Sequence, residues 1–97
     1  MKDSCLACPI ARVAKLLSDS WTLLIVRDLL SGQKKFNELA DSLSGVSTRT
    51  LSVKLKRLVD MKVIEKLSGY DGYQITKKGA GLGKIMDSMA EYGAKSL

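Results

Sequence analysis

Residues 47–59 carry the clearest pattern of hydrophobic and polar positions in the chain. Leu51, Leu55, Leu58 and Val59 follow an i, i+4, i+7, i+8 spacing, which predicts a helix with one buried stripe. At about 100° per residue, the opposite face carries three cations, a hydroxyl and a methyl-bearing side chain, without a carboxylate. These residues are Arg49, Thr50, Val53, Lys56 and Arg57. Such a face suits a DNA major groove, although this segment alone is equally well interpreted as a solvated basic surface.

The rest of the pattern predicts four further helices and three short strands. Pro9 begins the first helix, where its missing N–H costs nothing. The second helix is predicted from about Ser20 to Leu30, with Asp19 or Ser20 as its N-cap and Gly32 closing it, and its Trp21 is expected to anchor the core. Two more helices are predicted over residues 37–43 and 81–94, and strands over 34–36, 63–67 and 73–76. Asp71-Gly72 predicts a two-residue hairpin turn, because glycine tolerates the positive φ that such a turn requires.

The order of these elements predicts a winged helix-turn-helix fold. Its class is mainly α (α+β), with a short two-stranded β wing. The chain is expected to be a single domain over residues 1–97, consistent with the usual size of domains. The helix-turn-helix would occupy about residues 36–61, the wing about 63–76 and a C-terminal helix about 81–95. Met86, Met89 and Tyr92 extend the apolar surface of that last helix beyond one stripe, which favours pairing with another subunit.

Composition narrows the function further. The chain has 16 basic and 10 acidic residues, and residues 32–67 hold eight of the basic and four of the acidic ones. This concentration is typical of a surface that binds a polyanion. The sequence has no histidine, no Gly-rich phosphate loop and no clustered carboxylate pair, so it predicts no catalytic residues, no metal, no cofactor and no enzyme. No apolar run reaches the ~18 residues of a membrane span, and we expect a cytoplasmic protein without a membrane partner.

Five blocks of sequence, in order, resemble one family. Cys8-Pro9 is similar to its Cys-Pro opening, and Ser20-Trp21-Thr22-Leu23-Leu24-Ile25 to its Lys-Trp-Thr-Leu-Leu-Ile segment. Lys35-Phe36-Asn37-Glu38-Leu39 is similar to Arg-Phe-Asn-Glu-Leu, and Gly45-Val46-Ser47-Thr48-Arg49-Thr50-Leu51-Ser52 to Gly-Ile-Ser-x-Arg-x-Leu-Ser. Tyr73-Gln74-Ile75-Thr76-Lys77-Lys78-Gly79 is similar to Tyr-x-Leu-Thr-x-x-Gly. Over about residues 5–93, the chain therefore resembles the HxlR-type winged helix-turn-helix transcriptional regulators.

This resemblance implies a homodimer that binds double-stranded DNA, with a recognition helix in the major groove of each half-site. It implies that the terminal helices pair the subunits. The candidate interface residues are Ile10, Val13, Leu82, Ile85, Met86, Met89 and Tyr92. The chain departs from the family pattern at Ser20, where a basic residue is usual, and in its wing, where only residues 68–72 replace a longer, Pro-containing loop.

Candidate DNA contacts divide into two groups. Arg49 and Val53 are candidates for reading base edges. The remaining cations are candidates for phosphate contacts, which position a protein without specifying sequence; they are Lys34, Lys35, Lys54, Lys56, Arg57 and Lys66. Ser47, Thr48 and Thr50 lie where the helix N-terminus favours an anion, although Ser47 is equally well explained as an N-cap.

Cys5 and Cys8 form a Cys-x-x-Cys pair before Pro9. A helix N-terminus stabilises a thiolate, which makes Cys8 a candidate reactive thiol. The resemblance includes thiol-based sensors of oxidants and electrophiles, so a redox-responsive regulator is one interpretation. Zinc shared between two chains and two inert thiols are the others, and the effector is open. The rival function is a winged-helix module for protein–protein assembly without an operator.

Overall fold

The computed structural model describes residues 8–97. Their elements are α1 (Pro9–Leu16), α2 (Ser20–Leu30), β1 (Lys34–Lys35), α3 (Phe36–Ser42), α4 (Thr48–Asp60), β2 (Ile64–Lys66), β3 (Gly72–Ile75), α5 (Lys77–Ala80) and α6 (Gly83–Ser96). This order confirms the predicted winged helix-turn-helix, with α3 and α4 as the helix-turn-helix and β2 and β3 as the wing.

N-terminal residues of α1, α2 and α4 begin these helices where the sequence predicts them. Pro9 is the first residue of α1. Asp19 is the N-cap of α2, and its carboxylate accepts a hydrogen bond from the Thr22 amide at 2.8 Å. Ser47 caps α4 in the same way, because its hydroxyl oxygen accepts from the Thr50 amide at 3.0 Å. These caps satisfy amides that have no partner within the helix.

The sheet contains one strand more than the predicted wing. β3 lies in the centre, between β2 and β1, and both pairings are antiparallel. Tyr73 is opposite Lys66 on one side and Lys34 on the other. The short strand that precedes the helix-turn-helix therefore joins the wing hairpin and connects the two parts of the fold.

The predicted turn at Asp71-Gly72 is wrong. Gly72 is the first residue of β3, and its carbonyl accepts a hydrogen bond from the Leu67 amide at 2.9 Å. The connection is instead a loop over residues 67–71, in which Gly69 has φ +69°. The ring of Tyr70 lies against the Gly72 backbone. The loop therefore folds back on the sheet, and the wing is short.

The C-terminal segment also differs from the prediction. Lys77–Ala80 forms its own helical turn, α5, because the Thr76 hydroxyl accepts from the Gly79 amide at 3.0 Å. The last helix then runs over Gly83–Ser96, two residues later at each end than the helix expected at 81–94.

The core lies between α2, α3, α4 and the sheet. Its apolar members are Ile25, Val26, Leu29, Leu39, Leu43, Leu51, Leu55, Leu58, Val63, Ile64 and Leu82. Trp21 packs against this cluster while remaining half-buried, which confirms its predicted role. In contrast, α1 and α6, both wholly within the described residues, contain no buried residue. These two helices therefore lie on the outside of the subunit core.

Candidate nucleic-acid interface

The buried stripe of α4 fixes which of its side chains face solvent. Leu51, Leu55 and Leu58 are fully buried, which confirms the predicted stripe. Arg49, Val53 and Lys56 are exposed on the other side. Val53 is 57% exposed, an unusual position for a β-branched apolar side chain on a basic helix face. The structure thus brings a cation, a methyl-bearing side chain and a second cation together on one accessible surface.

The start of α4 is organised by Ser47. Its hydroxyl accepts from the Thr50 amide and donates to the Thr50 hydroxyl oxygen at 2.9 Å. This geometry confirms that Ser47 is an N-cap. Thr48 is exposed beside it and Thr50 is half-buried. The remaining amides of the first turn point along the helix axis, where the helix dipole favours an anion.

Lys56 makes a weak ion pair on the exposed face. Its Nζ lies 3.2 Å from Oδ2 of Asp60, one turn further along α4, and both side chains are more than 60% exposed. Exposed pairs at this spacing contribute only about 0.3–0.5 kcal/mol. Lys56 can therefore exchange this carboxylate for a phosphate at little cost.

Lys54 and Arg57 hold α4 within its own subunit. Lys54 Nζ lies 2.9 Å from Oδ2 of Asp19. The Arg57 guanidinium donates to the carbonyl oxygens of Lys15 at 2.9 Å and Leu16 at 3.2 Å. Arg57 is therefore half-buried against the end of α1 and is not on the freely exposed face where the sequence pattern placed it.

The spacing of these side chains would have identified their location. Thr50, Lys54 and Arg57 each precede a buried leucine, at i, i+4 and i+7, and all three are half-buried. They form one edge of the apolar stripe. A cation at such an edge commonly extends its stem along apolar surface and finds a partner within the subunit.

Asp19 joins this contact to the start of α2. Its carboxylate accepts from the Thr22 amide, the Thr22 hydroxyl and Lys54. Burial acts to raise the pKa of Asp19, but the hydrogen bonds from Thr22 and Lys54 favour the charged form and outweigh it, so the pKa is lowered. The carboxylate is thus held ionised between the N-cap of α2 and the middle of α4.

The other predicted phosphate contacts lie on the two outer strands of the sheet, β1 and β2. Lys66 and Lys35 are exposed, while Lys34 is half-buried with its Nζ 3.4 Å from the Ser31 hydroxyl. Lys35 Nζ lies 5.5 Å from the centre of the Tyr70 ring, within the range of a cation–π contact. The wing loop over residues 67–71 therefore lies close to β1. It contains Asp71 but no cation.

A second surface is apolar and lies between α1 and α6. Its groove is lined entirely by apolar side chains and Pro9: Pro9, Ile10, Val13, Ala14, Leu17, Leu23, Ile85 and Met89. An adjoining groove on α6 shares Ile85 and Met89 and reaches Tyr92. Ile10 is 80% exposed. Patches of this kind mark sites of association.

Two of the residues expected at a dimer interface are not freely available. Leu82 is buried in the subunit core, and Met86 packs against it. Leu82 is the N-cap residue directly before α6, and Met86 lies in the first turn of α6, where the chain leaves the core. Ile10, Val13, Ile85, Met89 and Tyr92 remain exposed. The accessible candidate interface is therefore smaller than the predicted one.

Cys8 has an exposed thiol directly before α1. It occupies the N-cap position without a capping hydrogen bond from its side chain, and Pro9 after it lines the apolar groove. Cys5 lies outside the described residues. Residues 8–97 contain no cluster of three or more residues suited to hold a metal ion. The zinc and redox interpretations of the cysteine pair thus stay predictions.

Residues 16–97 match the model of the HxlR-like helix-turn-helix proteins. The chain belongs to this family. HxlR-like relatives include the uncharacterized HTH-type transcriptional regulator sll1512 of Synechocystis sp., 30% identical over 92 residues that cover 90% of this chain and 68% of the relative. The chain is therefore a transcriptional regulator of the helix-turn-helix type.

Solved structures of transcriptional regulators share this fold. A transcriptional regulator of the MarR family from Porphyromonas gingivalis W83 superposes with a TM-score of 0.86 at 26% identity, over 93% of each chain. Quinone-bound YodB from Bacillus subtilis superposes with a TM-score of 0.81 at 27% identity, over 91% of this chain and 98% of YodB. Among the described residues, no helix has the length and apolarity that a membrane crossing requires.

Proposed function

We propose that this HxlR-like protein binds double-stranded DNA in a sequence-specific manner and acts as a homodimer. The observation that carries the proposal is the exposed face of α4, where Arg49, Val53 and Lys56 share one surface and residues 48–59 contain no carboxylate. An assembly surface would more often be apolar or mixed in charge. The apolar grooves of α1 and α6 supply such a surface elsewhere, which leaves α4 free for DNA.

Arg49 and Val53 are proposed to read base edges. They are one helical turn apart and lie near the start of α4, the part of a recognition helix that enters the major groove. The Arg49 guanidinium suits the O6 and N7 acceptors of guanine, and the Val53 methyl groups suit the methyl group of thymine. Lys56, with the hydroxyl of Thr48, would contact phosphates, whereas the Ser47 hydroxyl is engaged with Thr50.

The remaining cations are proposed to act around this centre. Lys34, Lys35 and Lys66 would contact the backbone beside the half-site. Lys54 and Arg57 would mainly hold α4 in position, because a phosphate contact would have to compete with Asp19 and with the carbonyl oxygens of α1. The expected order of importance for phosphate binding therefore places Lys56 above these two.

The second copy of the chain is proposed to cover the apolar groove between α1 and α6. Neither helix buries a residue within its own subunit, yet each exposes large apolar side chains such as Ile10, Met89 and Tyr92. A two-fold dimer also places two α4 helices at one pseudo-palindromic site. The same contact would thus cover the exposed apolar side chains of α1 and α6 and supply the second α4 helix that reads DNA.

Substitutions at Arg49 and Lys56 test the DNA proposal. Wild-type protein would first select its preferred duplexes from a random pool. Arg49→Ala is expected to weaken binding to the selected site by about 1–3 kcal/mol and to affect random duplex far less. Lys56→Ala is expected to weaken both and to lower the slope of log affinity against log salt by about 1. Fluorescence anisotropy over a salt series measures both quantities.

Equal losses on selected and random duplexes for both variants would contradict this division of roles. Wild-type protein that fails to bind any duplex at low salt would contradict DNA binding itself and favour the assembly module. Asp41→Ala, an exposed substitution on α3, is purified and measured in parallel as the control variant.

We also propose that Cys8 makes the regulator responsive to electrophiles. The supporting observation is an exposed thiol directly before Pro9, which lines the apolar groove, in a fold similar to quinone-bound YodB. In the proposed step, the Cys8 sulfur adds to a ring carbon of a quinone, a C–S bond forms, and the thiol proton ends on the ring system as a hydroquinone. No further oxidant is required.

The Cys8→Ser variant provides the test of this response. Benzoquinone is expected to add one adduct mass to Cys8 in wild-type protein and to change its affinity for the selected duplex, whereas Cys8→Ser keeps its affinity unchanged. Peptide mass spectrometry locates the adduct, and Cys5→Ser is the matched control. A Cys8→Ser protein whose DNA affinity still responds to benzoquinone would exclude Cys8 as the sensor.

A further inference from the structure

Four lysines surround a groove where α4 ends and the hairpin begins. They are Lys62, Lys66, Lys77 and Lys78. Glu65 is the one carboxylate in the lining, and its Oε2 already accepts a hydrogen bond from Gln74 at 2.6 Å. Lys78 donates to the carbonyl oxygen of Met61 at 2.9 Å. Within residues 8–97, no ion pair neutralises any of the four lysines.

Local structure does not favour lysine at two of these positions. Lys62 has φ +65°, the left-handed conformation that normally selects glycine or asparagine after a helix. The Lys62 side chain does not hold this turn: the Lys62 amide donates to the Val59 carbonyl oxygen, and the Lys62 carbonyl accepts from the Thr76 side-chain hydroxyl. Residues that break a local rule in this way are found preferentially at functional positions.

Lys77 is the second lysine that local structure does not select. It is the first residue of α5, a single turn of four residues whose start is capped by the Thr76 hydroxyl and not by the Lys77 side chain. Its side chain is exposed, so packing does not select it either. Lys62 and Lys77 therefore contribute charge to the groove at positions where the fold itself gains nothing from a lysine.

The groove continues into the exposed face of α4. A neighbouring depression is lined by Ser52, Lys56, Val59, Asp60, Lys66 and Tyr73, and the two share Val59 and Lys66. Lysines thus line both depressions, from Lys56, which pairs with Asp60 on α4, through Lys66 on β2, to Lys62 and Lys77 beyond the end of the helix. A regular polyanion is the partner that matches such a continuous row.

We infer that this basic groove holds the sugar–phosphate backbone of the duplex that flanks the site read by α4. The inference rests on the proposed DNA binding. Lysine suits this role because its ammonium group attracts phosphate as a point charge and reads no sequence. The short wing supports it, since its loop over residues 67–71 carries Asp71 and no cation. Flanking contacts are therefore supplied by the base of the wing instead of its tip.

Lys62→Gly tests the groove without weakening the fold. Glycine relieves the left-handed conformation, so the thermal midpoint is expected to stay constant or rise while a charge is lost. Lys77→Gln removes the second charge from an exposed position. The matched control is Lys95→Gln, which removes an exposed lysine from α6, far along the chain from the groove.

Binding of the full chain would be measured on two duplexes over a salt series. One holds only the selected site, and the other extends it by about one helical turn, or 10 base pairs, on each side. On the long duplex, Lys62→Gly and Lys77→Gln are each expected to lower the log–log slope by about 1 and to weaken binding severalfold. On the short duplex, both are expected to match wild type, as Lys95→Gln does on both.

Unchanged slopes on the long duplex, with wild-type protein still steeply salt-dependent, would overturn the inference and leave the proposed DNA binding intact. Equal losses on both duplexes would place the groove over the core site and also overturn it. If the slopes are unchanged and the two variants instead lose retention on immobilised polyglutamate, the groove belongs to an acidic protein partner. Absence of wild-type binding to either duplex is the separate result that contradicts the proposed function.

Discussion

Replacement of Ile85 by Glu is expected to convert the protein to a monomer and to reduce binding to a two-half-site duplex by about 10²–10⁴-fold. Ile85 lies where the two apolar grooves of α6 meet. A carboxylate at that point would be buried without a partner in the dimer, and burial of an unpaired charge costs several kcal/mol. Each monomer would then hold one recognition helix and lose the gain of binding two half-sites at once.

Light scattering after size-exclusion chromatography measures the mass, and anisotropy measures the DNA affinity. Ala90→Glu is the matched control, because it adds the same charge to an exposed position of α6 outside both grooves. Circular dichroism checks that α6 and the core stay folded. A dimeric Ile85→Glu protein with wild-type affinity would show that another surface pairs the subunits, and a monomeric wild type would contradict the homodimer altogether.

Gly79→Ala is expected to destabilise the subunit by about 2–4 kcal/mol, which corresponds to a fall of about 10–25 °C in Tm for a domain of this size. Gly79 is buried, and an added Cβ would collide with the carbonyl oxygen of Val63 and with the Ile75 side chain. That carbonyl accepts hydrogen bonds from the Thr76 amide and hydroxyl. It cannot withdraw without breaking the connection between the start of β2 and α5.

Gly81→Ala is the control for this prediction. Gly81 is exposed and has φ −61°, and a Cβ there would make an ordinary contact with the Lys78 carbonyl oxygen at 3.5 Å. Alanine is therefore expected to be neutral or to stabilise by up to about 1 kcal/mol. Urea unfolding measured by circular dichroism compares the two variants. Equal stability of Gly79→Ala and Gly81→Ala would show that the hairpin base yields to the added methyl group.

Periodicity and capping predicted most of this fold because both are local properties. The buried leucines of α4 and its Ser47 cap follow from spacing within one helical turn. The turn at Asp71-Gly72 could not be predicted in the same way. Its geometry depends on the Leu67–Gly72 hydrogen bond and on the Tyr70 ring, so the positive φ falls at Gly69.

The site shows the same division between local and long-range information. The exposure of Arg49, Val53 and Lys56 follows from the helix period. The partners of Lys54 and Arg57 lie 35 and 42 residues away along the chain, and no sequence pattern within α4 identifies them. The left-handed conformation of Lys62 was equally hidden, since lysine rarely adopts it and the contact with Thr76 holds it.

The contact between Arg57 and the last carbonyl groups of α1 has a consequence for operator choice. It fastens the helix proposed to read DNA to a helix proposed to lie in the subunit contact. In a two-fold dimer, the way the subunits pack then sets the separation of the two α4 helices, which have little freedom to move relative to one another. The packing would thus decide whether half-sites one helical turn apart, about 34–36 Å, can be bound by both subunits at once. The effect on affinity of a single base pair inserted between the half-sites would then report how rigidly the dimer holds its two α4 helices.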